Sequence, residues 1–386
     1  MNIFKKITSS SSFGHRPDYF LIGIVFFIVL CGFLFLTSAS SDIGKMQYNN
    51  SYYFLEGQVL KGFLPGIIGF FVGYFIYYRR WKKVAPYLLL INIFLMVLVF
   101  TPLGYAANGS SRWLHFGTFS FQPSELLKIT FILYLASLFS SMNVKRMKQT
   151  WRAYWLFLSV SCLVGVLIII QPATTMAVIV IGSGAVMYFF SGASFKHIAL
   201  TIGFAITVIA SLAIVTPYRL IRIAPFGNDV VGSISPSLEI KGVQADQFHL
   251  DQSLISIGTG GLWGVGYGRS TSKYSILPEP MGDSIFSVIA EEFGFVGSFA
   301  LIATYAVLVW RMTDLVFKSH DDFARLTILG FSSVIAIEAI IHIASNSGFL
   351  PFTGVPLPFI SYGGTALAVT LTMMGIVANI SKHSSA

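Results

Sequence analysis

Charge is scarce in this chain. Only 11% of its 386 residues are Asp, Glu, Lys or Arg, against about 25% in an average soluble domain. No soluble core could absorb the remaining apolar surface, so the solvent for most of the chain is a lipid bilayer. Cysteine is nearly absent. Cys31 and Cys162 are the two present, and each sits inside an apolar run, the place of a small buried hydrophobe and not of a disulfide or metal site. Acidic residues number 16 against 25 Lys and Arg. The basic excess is scattered through short loops and does not form one soluble face, so nucleic acid is not the partner it implies.

Long apolar runs take the place of charge. They fall near 19–37, 62–78, 84–101, 123–140, 153–170, 172–190, 197–216, 284–310, 326–345 and 361–380, which predicts an all-α polytopic membrane protein of about ten transmembrane helices. Lys5 and Lys6 before the first run and Ser38-Ala39-Ser40 after it imitate a cleavable signal peptide. The run is as long as a full span, so a retained first helix is expected. Gln171-Pro172 separates the fifth and sixth runs, where the missing proline N–H predicts a tight hairpin. Lys5/Lys6/Arg16, Arg79/Arg80/Lys82/Lys83, Lys145/Arg146/Lys148/Arg152, Lys196, Arg311/Lys318/Arg325 and Lys382 fall on one set of loops, which the positive-inside rule makes cytoplasmic. The expectation is one membrane domain over 1–386. Both termini face the cytoplasm, 1–18 is a cytoplasmic tail, and 217–283 is a large extracytoplasmic loop between helices 7 and 8.

Five constellations could carry chemistry, each with a plain structural alternative. Asn108-Gly-Ser-Ser-Arg-Trp113 precedes Gln122-Pro-Ser-Glu-Leu-Leu-Lys128. Pro123 suits a first helical turn, and Glu125 and Lys128, three apart, can pair on one face as they enter the membrane. Charges at that depth are costly and mark function more often than a simple helix-start pair. The glycines of 258–268, followed by Arg269 and Lys273, could converge backbone N–H groups on a diphosphate or simply permit tight packing. No βαβ unit surrounds them, so a dinucleotide site is excluded. Asp283, in Leu277-Pro-Glu-Pro-Met-Gly-Asp283 ahead of Glu291-Glu292, is placed either to cap the next helix or to act as a base at the water–lipid boundary. The loop Phe352 to Thr365, rich in Pro and Gly, could line a lipid groove or form a packed re-entrant turn. Glu338 and His342, four apart, could relay a proton or hold a buried structural hydrogen bond.

In this order the segments resemble the SEDS family of bacterial shape, elongation, division and sporulation proteins. The motifs are Ser38-Ala-Ser-Ser41, Asn108 to Trp113, Gln122 to Lys128, Pro217-Tyr-Arg-Leu-Ile-Arg222, Gln252-Ser-Leu-Ile-Ser-Ile-Gly258, Gly260 to Gly266, Asp283 with Glu291-Glu292, and Leu357-Pro-Phe-Ile-Ser-Tyr-Gly-Gly364. They span nearly the whole chain. Arg16-Pro-Asp-Tyr19 and the Ser-Ala-Ser-Ser segment lean toward the division branch.

The resemblance implies glycan polymerisation from lipid II in the bacterial cytoplasmic membrane, on its outer face. It also implies a class B penicillin-binding transpeptidase as partner, alongside other division or elongation proteins and membrane lipid. Asp283 is then the general base on the acceptor hydroxyl, with undecaprenyl pyrophosphate leaving. Arg112, Lys128, Arg269 and Lys273 are candidates for the departing diphosphate, and Glu125 for orienting Lys128. Gln122, Gln252 and Ser361, within the shared motifs, and Glu279, four residues before Asp283, are further candidate substrate contacts. No cofactor is implied, although a divalent cation at the leaving group remains compatible.

Three departures stand out: Ala173 where many members carry an aspartate after Gln-Pro, Met281-Gly282 where histidine and threonine are common, and Thr365 for serine. The rival readings are a lipid II flippase, which should place its site near the midplane, and a non-catalytic scaffold for the transpeptidase.

Overall fold

The computed structural model describes residues 16–102, 104–107, 110–116, 119–141, 151–197, 199–201, 203, 241–274 and 277–384. Among them, eight helices are long and apolar enough to cross a bilayer, and one further apolar helix is shorter. In chain order they are α1 (Tyr19–Tyr48), α2 (Tyr53–Phe75), α3 (Tyr78–Leu98), α4 (Pro123–Ser141), α5 (Trp151–Ile170) and the short α6 (Thr174–Phe190). After α7 (Lys241–Gly260), which is not a span candidate, come α8 (Ile285–Lys318), α9 (Asp322–Asn346) and α10 (Gly364–Ser381). Nine of the expected apolar runs are therefore helical. The run 197–216 and the segment 217–240 fall almost wholly outside the described residues.

Each helix has an identifiable cause. Asp18 caps α1, its Oδ1 accepting from the Leu21 N–H at 3.0 Å, as aspartate does well at an N-terminus. From there α1 runs 30 residues, well past the expected end at 37. Ser38, Ala39 and Ser40, the stretch that imitates a cleavage site, are buried within it. Gln171 and Pro172 make the turn between α5 and α6, as the missing proline donor requires.

The sequence reading was wholly helical, but α3 and α4 are joined by a small antiparallel sheet. Its strands β1 (Gly104–Ala107), β2 (Ser110–Phe116) and β3 (Phe119–Phe121) lie in the order β1-β2-β3. β1 and β3, of 4 and 3 residues, are too short for periodicity to reveal, and Ser110 to Phe116 does not alternate strictly between polar and apolar residues. Pairing among themselves satisfies their backbone groups beside the apolar phase.

The innermost helices are α9 and α10, each 78% buried along its most apolar stretch, whereas α3 is 22% buried there and turns a broad apolar surface outward. Backbone contact between α2 and α10 is close. A β-carbon at Gly62, Gly66 or Gly73 of α2 would stand 3.0, 3.1 or 2.7 Å from the backbone of Gly364, Ala368 or Ile376. In lipid, where apolar side chains gain little by leaving their solvent, small residues that let backbones approach supply the association.

Contacts also define two ends. At one, Asp18 Oδ2 accepts from Arg311 Nε at 2.7 Å and the Asp18 N–H donates to Ser381 Oγ at 3.0 Å, so the ends of α1, α8 and α10 are tied together. Arg79 pairs with Asp321 at 3.3 Å at this end as well. Asp283, Ser361 and the sheet gather at the other.

Candidate active site at one end of the bundle

Asp283 stands one residue before the N-cap of α8, Ser284, so it precedes the helix and does not cap it. The loop that carries it is fastened on several sides. Gly282 N–H and Ser284 N–H both donate to the carbonyl of Glu279, at 3.0 and 3.3 Å. Glu279 itself has φ +43°, a conformation rare for a residue with a side chain. Ser361 Oγ donates to Gly282 O at 2.8 Å, and the Tyr362 N–H donates to Met281 O at 2.9 Å. Asn346, at the end of α9, donates from Nδ2 to Asp283 O at 2.9 Å and accepts from Ser287 Oγ at 2.9 Å. These bonds fix the backbone and leave the Asp283 side chain half-buried. Facing it is Gly354 at φ +61°, where a β-carbon would stand 3.0 Å from Asp283 Oδ2. Glycine there leaves the carboxylate the room that a side chain would take.

Asp283 opens into a cavity of about 440 Å³. Arg112, Gln122, Glu125, Glu279 and Tyr362 share its wall. Five of the residues expected from the sequence are thus brought together from three separate stretches of chain: Arg112, then Gln122 and Glu125, then Glu279 and Asp283. Arg112 reaches it from β2, donating from Nε to Gln171 O at 2.9 Å and from Nη2 to Pro172 O. Gln122 is placed at the start of α4, its N–H donating to Thr365 Oγ1 at 3.3 Å and its side chain to Ser124 Oγ at 2.9 Å. Ala173, the residue that departs from the family pattern, also faces the cavity.

The cationic shell expected around Asp283 is arranged differently. Lys128 lies behind the wall with its side chain 0% exposed, its Nζ held by Glu125 Oε2 at 2.7 Å and Glu338 Oε1 at 2.5 Å. Lys273 is buried too, paired with Glu292 at 3.1 Å and bonded to Ser38 Oγ and Gly268 O. Both ammoniums are drawn inward because a carboxylate already buried there would be costly alone. Arg269 is exposed outside the cavity lining, and Gln252 lies within α7, also away from it. Arg112 is therefore the one expected cation on the cavity wall. Ser361 is buried and acts on the Asp283 loop from behind, also accepting from the Leu357 N–H at 2.8 Å.

The glycine-rich segment proves to be a packing device. Val265 and Gly266 N–H donate to Glu291 O and Glu292 O at 3.0 Å, and Phe295 and Val296 N–H return to Gly261 O and Leu262 O. These bonds stitch 260–266 onto a break in α8 at Gly294, where φ is +64° and ψ −163°. Donors spent this way do not converge on an anion. Both members of Glu291-Glu292 turn inward. Glu291 accepts from Ser270 Oγ at 2.6 Å and from the Thr271 N–H at 2.9 Å, and Glu292 from Ser38 Oγ at 2.5 Å. The pair clamps the loop that leads to Asp283.

Sequence reasoning missed Asn346 and Gln58. Asn346 had a signal, since 338, 342 and 346 are spaced by four and share one face of α9. Gln58, which donates to Ser361 O and accepts from the Gly363 N–H, had none beyond being polar in an apolar helix. His249 was also passed over. Its ring lies against that of Phe352, tilted by 33° with centroids 3.7 Å apart, and its Nε2 is 3.3 Å from Ser284 Oγ. Burial holds its imidazole down to about 4, against the pull of its own and the Pro278 carbonyls.

Fold and site define an integral membrane protein with a carboxylate-rich cavity at one end of a helical bundle. The chain belongs to the FtsW/RodA/SpoVE family of cell cycle proteins, whose model matches residues 19–386, the family that the sequence motifs resemble. It is 32% identical over 372 residues to stage V sporulation protein E of Bacillus subtilis, covering 95% of this chain and 98% of that one. It is 31% identical over 386 residues to a probable peptidoglycan glycosyltransferase FtsW of Saccharophagus degradans, covering 98% and 96%. Among solved structures it is similar to a chain of a peptidoglycan synthase complex that coordinates polymerization and crosslinking, with a TM-score of 0.75 and 25% identity over 95% of this chain and 98% of that one. The rod shape determining protein RodA of Thermus thermophilus is similar at a TM-score of 0.68 and 25% identity, over 95% and 97%.

Proposed function

We propose that this protein is a peptidoglycan glycosyltransferase that polymerises glycan strands from lipid II, with Asp283 as the general base. The observation that carries this reading is a half-buried carboxylate on a loop fastened through its backbone, at the mouth of a cavity that also presents Arg112. The hydroxyl of the acceptor sugar attacks the anomeric carbon of the donor. Asp283 takes the hydroxyl proton as the new carbon–oxygen bond forms, and the bond to the diphosphate breaks with its electron pair leaving on undecaprenyl pyrophosphate. A single displacement inverts the anomeric centre.

Arg112 faces the diphosphate as a charge-assisted donor, whose rigid fork suits phosphate oxygens. Lys128 acts through Glu125 and does not touch substrate. Among the described residues no three carboxylate, histidine or cysteine ligands come together as a cation site. The carboxylates that line the cavity, Glu125, Glu279 and Asp283, are the groups that could help hold a divalent cation, which would supply charge stabilisation to the leaving diphosphate.

In the proposed orientation the cavity opens outside the cytoplasmic membrane and the basic clusters lie inside. The partner is a class B penicillin-binding transpeptidase, which fits the likeness to a synthase complex that polymerises and crosslinks. Lipid-facing surface such as that of α3 belongs to membrane lipid, and other division or elongation proteins join the assembly.

The test is strand synthesis from labelled lipid II by the purified protein with its transpeptidase. Asp283→Asn is expected to lower polymerisation by about 10²–10⁴-fold, the range for a lost general base, with folding intact. Wild-type rates in that variant would remove Asp283 from the chemistry. A flippase or scaffold would instead form no strands in the wild type.

A further inference from the structure

A second cavity, of about 490 Å³, lies at the opposite end of the bundle, where Arg79 meets Asp321. Its wall is built from three helices. Arg79, Lys82 and Lys83 come from the first two turns of α3, Ser137 and Ser141 from the last turns of α4, and Asp321 is the N-cap of α9. Ser137 Oγ donates to Lys82 O at 2.9 Å, which sets α3 on α4 beside that lysine. Ser141 Oγ donates to Ser137 O at 2.7 Å, so both hydroxyl hydrogens are spent within the protein. The cations remain to meet a ligand.

Three cations share this wall with one carboxylate. Asp321 accepts from Arg79 Nε and from the Phe323 N–H, each at 3.3 Å, whereas Lys82 and Lys83 have no ion-pair partner among the described residues. Two positive charges are left uncompensated. Their place on α3 sharpens the imbalance, because the start of a helix carries partial positive charge and favours anions, yet the first turn of α3 holds no acid. An anion seated among them relieves both. Orientation in a membrane asks only that cations lie on the inner loops. It does not ask that they enclose a cavity.

The class of anion follows from the surface beside the cavity. Lys83, Tyr87, Leu90, Ile91 and Phe94 recur at helical spacing along one exposed face of α3. Lysines at the head of an apolar stripe match a phosphate that carries acyl chains, and basic pockets between helices at the inner face of a membrane take such headgroups. We propose that this cavity is a binding site for the phosphate of an anionic phospholipid, with Lys82 and Lys83 on the phosphate and the acyl chains along Tyr87, Leu90, Ile91 and Phe94. Asp321 is the acceptor available to a headgroup hydroxyl. Phosphatidylglycerol, a diester anion that ends in hydroxyls, fits that set. The site is independent of the chemistry at the other end.

The experiment is native mass spectrometry of the full-length protein in detergent, titrated with phosphatidylglycerol, with phosphatidylethanolamine of the same chains, or with glycerol 3-phosphate. Phosphatidylglycerol is expected to bind saturably, and Lys82→Gln combined with Lys83→Gln to weaken that binding by about 10- to 30-fold. Lys196→Gln combined with Lys318→Gln removes the same charge from the same set of basic loops and should leave the affinity unchanged. Thermal unfolding gives a second reading: phosphatidylglycerol should raise the midpoint of the wild type and not that of the Lys82/Lys83 variant. Equal loss in the two double variants would mean diffuse attraction to surface charge and overturns the site. Equal affinity for phosphatidylethanolamine overturns the anionic headgroup. Glycerol 3-phosphate binding as tightly as the lipid would make this a site for a free phosphate ester and overturns the lipid assignment.

Discussion

At the scale of single residues, the site is built by side chains that never meet the substrate. Asn346 holds the Asp283 carbonyl, the Ser287 hydroxyl and its own helix through His342 O. Asn346→Ala removes three buried bonds and leaves their partners unsatisfied, at about 1–3 kcal/mol for each stranded group. Polymerisation should fall mainly in kcat, with KM for lipid II changed little, because the base is displaced and the binding wall is not. A fall in KM effects alone would contradict a positioning role. His249 gives a pH dependence with a definite sign. Its folded value of about 4 lies below the ordinary 6.5, so between those two limits the unfolded chain binds a proton that the folded protein refuses. Stability contributed by the neutral ring is complete above about 6.5 and is lost as pH falls toward 4. Thermal unfolding should therefore shift to lower temperature from pH 7 to pH 5, and His249→Asn should reduce that shift.

At the scale of elements, the break in α8 decides how the Asp283 loop is held. Gly294 has φ +64°, and a β-carbon there would lie 2.4 Å from the Gly264 nitrogen and 2.6 Å from the Leu262 oxygen. Neither atom can move without undoing the backbone bonds between 260–266 and 291–296. Gly294→Ala should cost about 1–3 kcal/mol in backbone strain alone and expose the 258–274 segment to limited proteolysis. Gly258→Ala is the matched control, since nothing lies within 4 Å of a β-carbon at that position. Equal protease sensitivity in the two variants would mean that the break does not secure the loop.

At the scale of the whole molecule, the two ends differ in kind. One carries Arg79, Lys82, Lys83, Arg311 and Lys382, and the other the carboxylate-lined cavity. With the basic end in the cytoplasm, a cysteine replacing exposed Lys83 should react with an impermeant thiol reagent only after cells are permeabilised. One replacing exposed Asp251 should react in intact cells. The reverse pattern would invert the proposed orientation and put the cavity inside. Apolar helices, their approximate ends and the charge asymmetry were legible in the linear chain because each is local: a span needs only its own run of residues. Asp283, Arg112, Gln122, Glu125 and Glu279 were legible as a set because each falls in one of three short polar segments that stand out from the apolar runs around them. Asn346 and Gln58 were not, since their partners lie in other helices.

What the chain determined by itself was that it must lie in a bilayer, roughly where it crosses, and which ionisable residues could be functional. The direction in which each charge turns was decided only by the tertiary structure. In sequence Lys128 has a partner only in Glu125 and Lys273 has none, yet each is buried against a carboxylate brought by a distant helix, Glu338 from α9 and Glu292 from α8. Burial is a property of the assembled interior, and the cost of leaving a charge there unpaired is set by neighbours that no local pattern names.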